Sequence, residues 1–460
     1  MNRPGPKTPH RSPKSSARAP RSTALGAGAN SKVPDAPSVA LFVGLLVLIV
    51  VEYSGLSSHF PLLKSVRFST VLSYSLLLLV LMKVSVGDLF SRPQTRIFIL
   101  FVAFTALSVL WADVQIRAFE SIRPLVDNLT LFIVTATLVN TWKRVEAIAW
   151  AFSLVSIALV ALNLDKLSTA SRVGFFDAPY FMGDGNDFAW ALVISLPIAL
   201  FLVVGNRPFI TRLIGQLSVA ACLIGVIGTG SRGGTIGLVA AMFLYWTVLS
   251  RRKALTAMFI ALVAIGVIAL APAQYFSRMQ TVGDYQQDSS AQARLQAWRA
   301  ATQMAIEHPL GVGAGNFSSA YGRYYKPSND QSSISWAPGR WLSAHSIYFR
   351  TLAEYGFVGL AMLLTLIWAN FRGNLATYRL QTASHGSSSD TITWPALLNM
   401  SIVGYAICGI FLGGFSYPHV YMLSALTISA SRLATGAPLP PHPQQVPRRR
   451  MHRRSNVATS

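Results

Sequence analysis

Charge is what this sequence has least of. Only 12% of its 460 residues are Asp, Glu, Lys or Arg, about half the share found in ordinary soluble domains. With a positive mean hydropathy, that deficit puts the chain in the membrane class before any motif is read. Cysteine is equally scarce. Cys222 and Cys408 are the only two, and both fall inside apolar runs, so a disulfide framework or a zinc site is excluded. The sequence has no Walker-type phosphate loop and no dinucleotide fingerprint, which excludes an ATP-driven pump and a soluble nucleotide-dependent enzyme. No cofactor and no metal is expected. Asp184-Gly185-Asn186-Asp187 could hold a cation, but reads as a turn with Asn186 or Asp187 capping the following helix.

The net charge of +22 first suggests a nucleic-acid partner. Its placement argues otherwise. Seven of the 39 basic side chains precede residue 37, and five lie between Arg448 and Arg454. Basic ends around an apolar body read as tails beside anionic lipid headgroups. No reading module for nucleic acid accompanies them, so membrane lipids are expected partners and nucleic acid is not.

Apolar runs of near-spanning length recur at 38–54, 66–84, 96–112, 125–141, 145–163, 187–204, 212–229, 234–250, 254–272, 346–371, 394–412 and 418–434. The expected fold is an all-α integral membrane protein with about twelve transmembrane helices. The 212–229 and 234–250 runs, joined by four residues, predict a tight hairpin. Most lysines and arginines fall on the side that holds both tails, which the positive-inside bias makes cytoplasmic. The long polar stretch 273–345 then faces outward, into the periplasm of a two-membrane bacterium. Three parts are expected: a disordered basic tail at 1–36, a polytopic membrane domain at 37–434 containing the 273–345 loop, and a second basic cytoplasmic tail at 435–460. The first apolar run reads as an uncleaved signal anchor.

Chemistry is expected at the outward face, where charged residues at membrane depth are functional candidates. Gly228-Thr229-Gly230-Ser231-Arg232-Gly233-Gly234 lets the backbone turn sharply beside a guanidinium. Arg232 is either a bidentate phosphate ligand or a snorkelling arginine. Leu295, Trp298, Thr302 and Ala305 recur at helical spacing and predict an amphipathic helix, with Arg294 and Arg299 on its polar side. A turn at His308-Pro309-Leu310-Gly311-Val312-Gly313-Ala314-Gly315-Asn316 ends it, His308 being structural. Arg323, Trp336 and Trp341 suit sugar and phosphate, and equally an interfacial aromatic belt. Ser343 is the expected N-cap of the next helix, placing His345 in its first turn, where the dipole disfavours a charged imidazole. A neutral imidazole there could act as a general base. Arg350 and Glu354, four apart, are expected to pair.

In order along the chain, Gly230-Ser231-Arg232-Gly233-Gly234, Arg294-Leu295-Gln296-Ala297-Trp298, the run from His308 to Phe317, His345-Ser346-Ile347-Tyr348 and Glu354-Tyr355-Gly356 resemble the O-antigen ligase and polymerase superfamily. That family often has Asn directly after the histidine, where this chain has Ser346. The resemblance implies a GT-C-like membrane fold and a metal-independent, inverting glycosyltransferase. Its donor would be an undecaprenyl-diphosphate-linked glycan. The acceptor would be lipid A-core for a ligase, or a second lipid-linked glycan for a polymerase. Arg232 and Arg294 would clamp the diphosphate, and His345 would be the base. A multi-pass transporter and a membrane scaffold are the readings from other classes.

Overall fold

The computed structural model describes residues 38–56, 60–168, 182–250, 252–270, 289–326, 342–384, 394–414 and 416–435. Its regular elements are all helical among these residues. The long ones are α1 (Val39–Ser54), α2 (Phe68–Lys83), α3 (Pro93–Ser108), α4 (Gln115–Leu138), α5 (Trp142–Leu162), α6 (Gly185–Val203), α7 (Phe209–Gly228), α8 (Arg232–Leu244), α9 (Lys253–Leu270), α10 (Ser289–Glu307), α11 (Ile347–Ser384), α12 (Trp394–Cys408) and α13 (His419–Thr435). Each apolar run of the sequence forms a helix, and α10 is the amphipathic one. Residues 1–37, 271–288, 327–341 and 436–460 lie outside the described residues, and with them Trp336, Trp341 and both tails.

Four of these helices, α5, α6, α7 and α11, are long and apolar enough to cross a membrane. The others are shorter or, like the 24-residue α4, less apolar. The 16 residues of α1, α2 or α3 rise about 24 Å, against a hydrocarbon core of about 30 Å. The helix α4 departs most from its apolar run. It begins ten residues earlier, at Gln115, and passes straight through Pro124. Its first turns, polar because of Arg117, Glu120 and Arg123, are helical even though they are not apolar.

Two helix starts show the local logic. Thr141 caps α5 by accepting from the Arg144 N–H at 3.3 Å, and Ser38 caps α1 from Leu41, each meeting an otherwise unpaired amide. One expected pairing is not formed. The turn between α7 and α8 is tight, but α8 packs on α12 and α6 instead of alongside α7. The reason is a face of small residues. A Cβ on Gly237 would come within 2.2 Å of the Cys408 sulfur, and one on Gly234 within 2.7 Å of Ala189. Bare backbone allows that close approach between apolar helices, where dispersion supplies most of the attraction.

Candidate functional site

The site begins where two helices start. Asp184 caps α6 by accepting from the Asn186 N–H at 2.7 Å, so the cap is Asp184 and neither Asn186 nor Asp187. Asn186 is thereby free to reach sideways, and its Oδ1 accepts from the Ser231 hydroxyl at 2.9 Å. Ser231 in turn caps α8, its Oγ accepting from the Gly234 N–H at 3.2 Å. The half-buried Arg232 is the first residue of α8, directly after this cap. Two neutral side chains therefore fix the position of the guanidinium's backbone.

His345 does not sit in a helix. The helix α11 begins at Ile347, so the expected Ser343 cap and first-turn position are both corrected. His345 instead has φ of +43°, a left-handed conformation that costs a non-glycine residue about 1–2 kcal/mol and is retained where the surroundings over-determine it. Those surroundings are specific. The Ile347 N–H donates to the Gly409 carbonyl at 2.9 Å, and the Ser346 hydroxyl donates to the same oxygen at 3.4 Å. The Trp298 indole donates to the Ala344 carbonyl at 2.8 Å, its ring stacked on Phe349 with centroids 4.8 Å apart. Gly413 approaches from the other side, and a Cβ there would lie 3.4 Å from the His345 Cα. Gly233, next to Arg232, backs onto Phe411 of this same 409–414 turn. Arg232 and His345 therefore border one stretch of backbone. Ser346, where the family often has Asn, is fully buried against that turn.

The imidazole keeps a face open to the surface. Its pKa lies below the ordinary histidine value, first because surrounding protein disfavours the charged ring, then because Arg294 repels a second positive charge. Arg350 acts in the same direction and the Asp184 carboxylate opposes them. The shift favours the uncharged imidazole, and burial and Arg294 replace the first-turn dipole as its cause.

On α10 the buried face is Ala297, Ala300, Ala301 and Met304, with Ala305 beside it. Of the face read from the sequence, Trp298 lies at the edge and Thr302 is exposed, its hydroxyl bonded back to Trp298. Alanines let α10 lie close against α11, and this places Arg294 within electrostatic range of His345. Arg299 is exposed. Arg323 pairs with Asp113 at 3.3 Å, and Tyr324 donates to the same carboxylate. That tie holds it beside the α3–α4 junction.

The glycine-rich run after α10 has a structural explanation. The helix α11 breaks at Gly356, which has φ of +62° and ψ of −160°. A break frees backbone groups that must be paired in an apolar setting. The 309–313 segment pairs them: Val312 N–H donates to the Ala353 carbonyl at 2.9 Å, Gly313 N–H to the Glu354 carbonyl at 3.1 Å, and Phe357 N–H to the Pro309 carbonyl at 3.1 Å. Glu354 adds its side chain, accepting from Arg350 at 3.0 Å, the expected pair, and from the Phe317 N–H at 3.3 Å. The exposed His308 belongs to this turn, its carbonyl accepting from Gly311.

Arg232, Arg294, His345, the glycine run and the break at Gly356 all lie between α7 and the middle of α11. Residues 217–364 match the family model of the O-antigen ligase. The likeness to the O-antigen ligase and polymerase superfamily read from the ordered motifs is borne out over that segment, which implies a glycosyltransferase-like activity and lipid-linked glycans as the substrate class. No curated protein matches the chain. Sequence reading missed two parts of the O-antigen ligase-like site: Asp184 as a charge acting on His345, and the 409–414 turn. The turn falls outside the matched segment, and only its paired glycines hinted at a close approach.

Proposed function

We propose that the protein moves a glycan from undecaprenyl diphosphate to lipid A-core, as an O-antigen ligase, at the periplasmic face of a bacterial inner membrane. In this reading both tails are cytoplasmic, and twelve helices and the 273–345 loop make up the membrane domain between them. The observation that carries it is His345, held in a left-handed backbone conformation against the 409–414 turn that Arg232 also borders, within electrostatic range of Arg294. His345 takes the proton from the acceptor hydroxyl as that oxygen attacks the anomeric carbon. The bond from that carbon to the diphosphate oxygen breaks, and the leaving diphosphate keeps the electron pair. Arg232 and Arg294 meet its developing charge. Attack from the face opposite the leaving group inverts the anomeric centre, and no metal is required.

The break in α11 favours one rival, because transporters often place broken helices at the membrane midplane. Two features weigh against it. The exposed backbone that a transported ion would use is taken by the 309–313 segment. The second is a pair suited to an interfacial anchor further along α11, where Arg372 lies over the Trp368 ring at 5.5 Å. Gly356 precedes Arg372 by sixteen residues, about 24 Å along a helix. With that pair at one interface, the break would lie away from the midplane of a hydrocarbon core about 30 Å thick.

The test is the glycan profile of a deletion strain, with lipid-linked intermediates extracted in parallel. Loss of all glycan on lipid A-core, with long chains accumulating on the carrier, supports the ligase. A single repeat still capping the core, with the ladder lost, supports a polymerase. An unchanged profile with unchanged intermediates contradicts the proposal.

A further inference from the structure

A cavity of about 470 Å³ adjoins the His345 site, lined among others by Glu120, Ser121, Arg350, Thr351, Glu354 and Ser416. It lies between the polar first turns of α4 and the start of α11, and none of Arg232, Arg294 and His345 lines it. Three observations suggest that it holds a ligand. The hydroxyl of Thr351 is buried, the residue being 1% exposed, and has no hydrogen-bond partner among the described residues. A buried unpaired hydroxyl costs about 1–3 kcal/mol, a cost that a ligand in the cavity would relieve. Second, Pro124 lies inside α4 and has no N–H to give the Glu120 carbonyl, and both residues line the cavity. Third, the charged lining balances, with Arg117 and Arg350 against Glu120 and Glu354. A balanced set of hydroxyl, carboxylate and guanidinium groups matches uncharged sugar hydroxyls better than a phosphate.

We infer that this cavity is the subsite for the sugar residues of the acceptor. The inference rests on the glycosyltransferase reading of His345. In an inverting displacement the acceptor oxygen approaches opposite the leaving group. The proposed diphosphate ligands Arg232 and Arg294 lie outside the cavity, and Arg350, which lowers the His345 pKa, lies in its wall. Ser416, close after the 409–414 turn that borders His345, also lines the cavity, so a glycan bound there would approach His345 without displacing the diphosphate ligands, as an acceptor needs. Its volume falls within the range of about 300–1,000 Å³ typical of small-ligand sites. A second cavity of about 560 Å³ shares Glu120 and Pro124 with it, which gives room for more than one sugar ring.

The test uses the full-length protein in liposomes, with lipid-linked glycan and lipid A-core extracted from a strain lacking it. Thr351→Val removes the hydroxyl and keeps the shape. Glu120→Gln, on an exposed turn of α4, removes a charge-assisted acceptor. The expected result is a KM for the acceptor raised about fivefold by Thr351→Val, the weight of one hydrogen bond, and about tenfold or more by Glu120→Gln. The KM for the donor moves less than about twofold, and Thr351→Val melts no lower than the parent. Unchanged constants, or a rise confined to the donor, overturn the inference. If the parent protein transfers nothing, the functional reading fails by itself. Calorimetric titration with core oligosaccharide released from the same lipid then decides the cavity: weaker binding by both variants upholds a sugar site, and equal or absent binding removes it.

Discussion

Replacing Gly356 with alanine tests the account of the glycine run. The new Cβ would lie 1.9 Å from the Pro309 carbonyl oxygen and 2.7 Å from the Gly311 nitrogen. Backbone cannot step aside there as a flexible side chain could. The residue also keeps φ of +62°, at about 1–2 kcal/mol for a residue with a side chain. If the 309–313 segment is pushed out, the three hydrogen bonds to Ala353, Glu354 and Phe357 go with it, each worth about 1 kcal/mol. The total is about 4–5 kcal/mol, among the larger effects of single substitutions. Gly373→Ala is the control: its Cβ would meet Thr427 at 3.4 Å and Gln94 at 3.5 Å, ordinary contact on a regular helix, where alanine gains up to about 1 kcal/mol. Thermal unfolding in detergent, read by light scattering, compares the two. Gly356→Ala is expected to melt well below the parent, and Gly373→Ala at or above it. Equal melting temperatures for Gly356→Ala and the parent would refute the docking of 309–313 into the break.

The pH dependence of transfer follows from the charges around His345. Its acid limb is expected below the ordinary histidine range, because burial and Arg294 lower the pKa. Arg294→Gln removes a repelling cation, so the acid limb of kcat/KM moves to higher pH; Asp184→Asn removes a carboxylate that raises the pKa, so it moves to lower pH. Initial rates across about pH 5–8 check both signs, and shifts in one common direction contradict the arrangement. Gly237→Ala is expected to lower the melting temperature by pressing on the Cys408 sulfur, and Cys408→Ala to restore part of the loss in the double variant. Additive losses would show that the two residues do not touch.

Much of the helical body was legible because a residue facing lipid or core needs an apolar side chain, so each long helix except the amphipathic α10 left an apolar run. The polar start of α4 was hidden for the same reason, since Arg117, Glu120 and Arg123 interrupt that signal without ending the helix. The buried face of α10 was missed because alanine carries little hydrophobic weight, although close approach to α11 favours it over leucine. At the site, Arg232, Arg294 and His345 could be named from residue type and spacing. The backbone of His345 could not, because nothing in a histidine announces a positive φ. The break at Gly356 depends on partners more than forty residues away, which a single glycine in an apolar run does not reveal. Asp184 looked like a turn residue and is one; its charge on His345 follows from tertiary packing alone.

The most direct measurement is the rate of glycan transfer by the reconstituted parent protein and by His345→Ala, with defined lipid-linked donor and lipid A-core acceptor. Loss of a general base lowers such a rate by about 10²–10⁴-fold, and that is the predicted result, with the variant inserted and melting like the parent. Transfer by His345→Ala within about tenfold of the parent rate would contradict the assignment of His345 as the base.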